Sequence, residues 1–184
     1  MPPFIEIHGH AIVTDDDRIA DASGVTPPRL RNDADWAYFQ RALDEADLVA
    51  LGRVGHEVNP NRQKRPRLVL SRKAHGLKRR KDAIWWNPAE RSWAEVASAL
   101  LPAGGRVAVV GGQGVFDLFL AIGYDAFHLS RGHGVTAPGG RALFSACDSG
   151  LTTEAVLAGA GLKAEETQML DAAANVTLTV WRTG

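Results

Sequence analysis

The chain has 184 residues, 45% hydrophobic and 23% charged, with 21 basic and 21 acidic side chains and no net charge at neutral pH. That balance is the one expected of a soluble globular protein with one sizeable core. It argues against a disordered chain, and no apolar run approaches the ~20 residues that span a bilayer. Cys147 is the only cysteine, which excludes an intrachain disulfide and fits a reducing cytosol.

The N-terminus MPPFIEIHGH lacks the basic and apolar regions of a secretory signal, so a cytoplasmic location is expected. FIEIHGHAIV, residues 4–13, reads as a strand partly buried on both faces. His8 and His10 alternate along it and so share a face. Two imidazoles at that spacing are also half of a metal site. No third ligand stands out in the sequence, however, so packed or half-buried rings are the simpler reading, for His128 and His133 as well, and no metal is expected. Residues 15–33 form a polar loop with the acids Asp15, Asp16, Asp17 and Asp21. A helix follows, with Asn32 or Asp33 as N-cap and Trp36, Phe39 and Leu43 on one face.

Residues 47–51 make a short buried strand that ends at Gly52-Arg53. RLVLS (67–71) and DAIWW (82–86) are two more strands, the second with Trp85 and Trp86 on opposite faces of the core. From Arg62 to Lys81 ten basic residues occur without an acid. In a neutral chain such a cluster suggests a local anionic ligand. Ser92-Trp93-Ala94-Glu95 matches a capping box, and Trp93, Val96, Ala97 and Leu100 give the apolar stripe of the helix it opens.

Strands at 106–110 and 125–131, helices at 114–122 and 152–160, and two closing strands at 162–170 and 176–182 complete about eight strands and four helices. Strands interleaved with helices argue for an α/β fold. The sheet should be mixed and mostly parallel, flanked by helices, with an antiparallel edge from the closing hairpin. No repeat or linker divides the chain, so residues 1–184 are read as a single domain.

VAVVGGQGVFDLF, residues 107–119, runs a strand into Gly111-Gly112-Gln113-Gly114 and then a helix. Such a corner gathers free backbone N–H groups at the positive end of a helix, and the missing Cβ atoms let a phosphate approach closely. A tight turn in which the glycines only relieve crowding fits the motif equally well. GGQG is neither a G-x-G-x-x-G fingerprint nor a P-loop, and it follows four strands rather than the first.

Several motifs occur in an order that resembles the dihydrofolate reductase-like superfamily. Thr14-Asp15-Asp16-Asp17 stands where that family has Ser/Thr-Leu-Asp-Gly. A helix, a strand ending in Gly52-Arg53 and continuing to Glu57, a strand ending in Leu70-Ser71-Arg72, and the corner Val110–Phe116 follow. Within the superfamily the chain is most similar to the reductase (C-terminal) domain of the bacterial bifunctional riboflavin biosynthesis protein. The resemblance covers nearly the whole chain, most clearly residues 4–20, 33–57, 66–73 and 105–131. Asp15, Asp17 and Gly55 depart from the family pattern, which has leucine, glycine and threonine there.

The resemblance implies an α/β fold of that family and an NADPH-dependent oxidoreductase. The cofactor would be held by Gly52, Arg53, Leu70, Ser71, Arg72, Val110, Gly111, Gly112, Gln113, Gly114, Val115 and Phe116. Ser71 and Arg72, helped by Lys73, would meet the adenosine 2′-phosphate. Thr14, Asp16, Asp35 and Phe39 would bind the substrate, with Asp35 and Asp16 as the catalytic carboxylates. The reaction implied is hydride transfer to a C=N or related bond of a small heterocycle, pterin-like or ribosylaminopyrimidine-like. A second copy in a homodimer is an expected partner; nucleic acid and membrane are not. Two other readings stay open: a reductase-like nucleotide-binding protein without catalysis, and a nucleic-acid-binding protein using residues 62–81. Asp35 also has a local reading, since Asn32 followed three residues later by an acid is nearly a capping box.

Overall fold

A computed structural model describes residues 3–184. The strands, in chain order, are β1 (Ile5–Val13), β2 (Arg18–Ala20), β3 (Leu48–Gly52), β4 (Arg67–Leu70), β5 (Leu77–Arg80), β6 (Ala83–Trp86), β7 (Gly105–Val109), β8 (Ala126–Gly132), β9 (Arg141–Ala142), β10 (Leu162–Ala164), β11 (Gln168–Asp171) and β12 (Val176–Thr183). The helices are α1 (Asp33–Asp44), α2 (Arg53–Val58), α3 (Trp93–Leu100), α4 (Gln113–Ile122) and α5 (Thr153–Gly159). Ten strands form one mixed sheet in the order β10-β12-β8-β1-β7-β3-β4-β6-β5, with β11 also pairing β12. β2 and β9 form a separate two-stranded ribbon.

The inner strands β8, β1, β7, β3, β4 and β6 are parallel to one another, whereas β5 and the β10–β12 group are antiparallel additions at the two edges. The sequence pattern anticipates the mixed sheet and its antiparallel closing edge, but undercounts the strands. Residues 162–170 contain two short strands, not one, and both pair with β12. β5 is LKRR, with one apolar residue and an exposed cationic run, so no alternation announces it. Charge on such an edge blocks further strand pairing. α2 escapes a periodicity search for a related reason, since it is six residues long and has no buried side chain.

The two faces of the sheet are unequal. One carries the large core, in which Phe116, Phe119, Phe127, Phe144, Trp86 and Leu157 pack among the inward residues of the inner strands. A Cβ at Gly9 would overlap the Phe127 ring and touch Tyr124, so only glycine lets this ring lie flat on β1. The other face is thinly covered. α1 contributes only Leu43 as a buried residue, in a small cluster with Val49, Ala108 and Phe39. Polar side chains of β1 and β8 lie on this face beneath α1, and the space between α1, α2 and the strand ends stays open.

Candidate active site

This open space is a cleft of about 1630 Å³. It lies at the carboxyl ends of the parallel strands β7, β3 and β4 and along β1, where open α/β sheets place their ligands. Single small-molecule sites occupy roughly 300–1,000 Å³, so the cleft has room for a dinucleotide beside a second small ligand.

One half is built from three strand ends. β7 runs out at Val110 into the glycine corner, and α4 starts at once with Gly112 as N-cap and no side-chain cap. The Gly111 carbonyl accepts the Gly52 N–H at 2.8 Å, and the Val110 N–H donates to the Ala50 carbonyl at 3.0 Å. The Gly52-Arg53 turn is thereby bonded to the glycine corner. A Cβ at Gly112 or Gly114 would meet no atom within 4 Å, so both positions face open space. The cradle is thus empty of protein and rimmed by backbone N–H groups at the start of a ten-residue helix, which fits an anionic phosphate.

Arg53 is exposed and spans to Glu57 at 2.9 and 3.0 Å, an i,i+4 pair of small worth that a phosphate can displace. Beyond it lies the Leu70-Ser71-Arg72 strand end. The Ser71 hydroxyl accepts the Lys73 N–H at 3.2 Å, and Arg72 and Lys73 are exposed without an ion pair among the described residues. All twelve residues expected at a cofactor line this half. Leu70, Val115 and Phe116 do so from within the core, where they are buried.

The other half lies between α1 and the β1/β8 face. Asn32 caps α1 by accepting the Asp35 N–H at 3.0 Å, but the Asp35 carboxylate does not return the bond. It faces the Ser130 hydroxyl across the cleft, and its pKa is raised from the usual carboxylate value by burial, against the opposing pull of that hydroxyl. Phe39 lies one turn further along α1 and approaches His10 edge-on at 6.4 Å between ring centres. Trp36 stands exposed at the rim.

Thr14 and Asp16 lie apart from this constellation. The Thr14 hydroxyl donates to Asp16 at 2.5 Å and accepts the Arg18 N–H, while Asp16 also accepts the Ala137 N–H at 3.0 Å. The turn therefore satisfies itself, and neither side chain lines the cleft. The departure at Asp17 keeps the turn's shape. Asp17 sits at φ 62°, the left-handed region that favours glycine, and its carboxylate pairs with Arg131 at 2.9 Å. Aspartate is one of the few residues besides glycine that tolerates that conformation.

The sequence does not reveal the cleft floor. Strand register sets His128 on β8 directly beside His10 on β1, and Ser130 beside Ile12. His8, His10 and His128 therefore form one cluster in which one nitrogen of each ring lies within 4.8 Å of one nitrogen of each of the others. Burial pushes all three pKa values down, helped by neighbouring imidazoles and arginines, and takes His128 to about 3, so the rings are neutral. The signal that could have found the third ring is the parallel pairing of residues 4–13 with 125–131, which no local pattern encodes.

The basic stretch does not form one continuous patch. Arg65 pairs with Asp44 at 2.7 Å and with Gln40, Arg67 donates to the Asn59 carbonyl, and Arg80 stacks over Trp85. Arg62, Arg65, Arg67, Arg72 and Lys73 line the cleft, whereas Lys78–Arg80 lie on the β5 edge.

No protein-family model and no curated protein matches the chain. Solved structures do. A protein described as a riboflavin biosynthesis protein from Shewanella sp. PV-4 superposes with a TM-score of 0.69 at 15% identity, over 98% of this chain and 99% of that one. The Thermotoga maritima diaminohydroxyphosphoribosylaminopyrimidine deaminase/5-amino-6-(5-phosphoribosylamino)uracil reductase gives 0.63 at 19% identity, over 100% of this chain and 57% of that one. Dihydrofolate reductase from Enterococcus faecalis, complexed with NADP(H) and RAB-propyl, gives 0.67 at 14% identity, over 96% and 95%. The chain has the dihydrofolate reductase-like fold.

Proposed function

We propose that the protein is an NADPH-dependent reductase of a small heterocycle, pterin-like or ribosylaminopyrimidine-like, acting as a single domain on a C=N or related bond. The observation that carries this reading is the continuity of the cleft. The glycine corner, Arg53, Ser71 and Arg72 occupy one half, and Asp35 and Phe39 the other.

NADPH, when bound, supplies the hydride. The chain's own residues bind and orient. The Gly111–Gly114 N–H groups and Arg53 hold the pyrophosphate, while Ser71 and Arg72 hold the 2′-phosphate. Phe39 offers an aromatic edge to a planar ring, and the half-buried Asp35 carboxylate accepts its N–H groups. α1 above and the sheet below exclude water from the bound ring, which strengthens the carboxylate contact. The structural relatives support the reading, since they include a 5-amino-6-(5-phosphoribosylamino)uracil reductase and a dihydrofolate reductase complexed with NADP(H).

Oxidation of NADPH, followed with a panel of pterins and ribosylated aminopyrimidines, tests the proposal. Turnover with at least one member is expected. NADPH binding without turnover across the panel would favour a non-catalytic nucleotide-binding protein, a reading that the mutually bonded Thr14 and Asp16, which do not line the cleft, support. A cytoplasmic location and a homodimer remain part of the proposal.

A further inference from the structure

His8, His10 and His128 lie on adjacent strands of the cleft floor, and the reductase reading gives them no task. His8 Nδ1 and His128 Nε2 face each other at 3.3 Å. Each ring's other nitrogen already faces an acceptor. His128 Nδ1 lies 2.6 Å from the Tyr38 hydroxyl oxygen, and His8 Nε2 lies 3.6 Å from a Glu6 carboxylate oxygen, which is itself anchored by Arg106 at 2.9 Å. With both outer nitrogens carrying their protons toward these acceptors, the two inner nitrogens present bare lone pairs to each other. That arrangement accommodates a cation.

The spacing fits. Zinc–nitrogen bonds of ~2.0–2.1 Å at a tetrahedral angle hold two ligand nitrogens roughly 3.3–3.4 Å apart. An imidazole oriented through its distal N–H by a carboxylate or hydroxyl is also the usual support of a histidine metal ligand. The third ring, His10, stacks on His128 at 4.4 Å between ring centres, and no hydrogen bond to it is found among the described residues. It lines the cleft, and one of its nitrogens lies within 4.8 Å of a nitrogen of each of the other two rings.

We propose that His8, His10 and His128 bind a divalent first-row transition-metal ion of the zinc type, with its fourth position open to the cleft. Three neutral imidazoles select zinc, cobalt, nickel or copper over magnesium and calcium, which prefer oxygen donors. The open position takes water, or an oxygen or nitrogen atom of a ligand lying in the α1 half of the cleft.

Cobalt titration of the chelator-treated full chain tests this without NADPH, so its outcome is separate from that of the reductase proposal. One equivalent of Co²⁺ should give the intense visible band of a tetrahedral site. Zn²⁺ should displace it stoichiometrically, and excess Mg²⁺ should leave it unchanged. His10→Ala and His128→Gln should weaken binding by more than about a hundredfold. Glu6→Gln and Tyr38→Phe should weaken it by roughly 10- to 100-fold through lost orientation of the ligating rings. His75→Ala, at an exposed histidine far from the cluster, should change nothing. Absence of the tetrahedral band in the wild type overturns the proposal whether or not the variants fold. Binding that survives in folded His10→Ala and His128→Gln does the same.

Discussion

Asp35 joins two opposing demands in one side chain. Its backbone N–H is part of the α1 cap, while its carboxylate is held among buried groups opposite Ser130. Because burial raises its pKa, the folded protein keeps this proton to a higher pH than the unfolded chain does. Stability is therefore lost as pH rises from the ordinary carboxylate value through the raised one, and the loss is complete above it. Asp35→Asn removes that penalty, although it also forfeits a helix-dipole term of ~0.3–1 kcal/mol. The variant should melt higher than the wild type at neutral pH, and the gain should vanish in acid. NADPH affinity should be unchanged. Turnover should fall by about tenfold or more, since an amide offers one acceptor where the carboxylate offers two. Melts at two pH values with steady-state rates check this; full activity would remove Asp35 from the substrate site. Arg72 carries a narrower expectation. The 2′-phosphate is the only difference between NADPH and NADH, so Arg72→Ala should narrow the gap between the two affinities by about tenfold and leave NADH binding nearly untouched. An unchanged ratio in paired titrations would place the 2′-phosphate elsewhere.

At the scale of elements, the glycine corner offers a clean perturbation. Gly112 has φ −84°, which any residue adopts, and a Cβ there meets no protein atom. Gly112→Ala should therefore leave the melting temperature within a degree or two, while NADPH affinity drops by about tenfold or more because the methyl group occupies the phosphate's approach. Equal affinity in the folded variant would mean that the corner is only a turn. This corner was legible in the sequence because its signals are local: an apolar strand, three glycines and an amphipathic helix in succession. The capping box at Ser92 was legible for the same reason and appears as expected, and of the two N-caps open for α1, Asn32 is the one used. β5 and α2 were not, since neither buries an apolar stripe. The histidine cluster was half legible. His8 and His10 share a face by strand geometry alone, whereas His128 joins them only through a parallel pairing between segments more than a hundred residues apart. No spacing rule reports such a pairing.

In the whole molecule, the unequal covering of the two sheet faces produces the site. The large aromatic core fixes the strands from one side and leaves the other free for a cleft in which strand ends, α1 and the glycine corner converge. The order of motifs along the chain was enough to suggest this fold, which the solved structures share at 14–19% identity. It was not enough to show that Thr14 and Asp16 close on themselves, because the side chain's choice between solvent, cleft and its own turn depends on Ala137, over a hundred residues away. The glycine-corner half of the cleft is the proposed NADPH site. Calorimetric titration of the purified protein with NADPH and, in parallel, NADH tests it most directly. One NADPH should bind per chain, at least about tenfold tighter than NADH. No heat of binding with NADPH, or equal affinity for the two nucleotides, would contradict it.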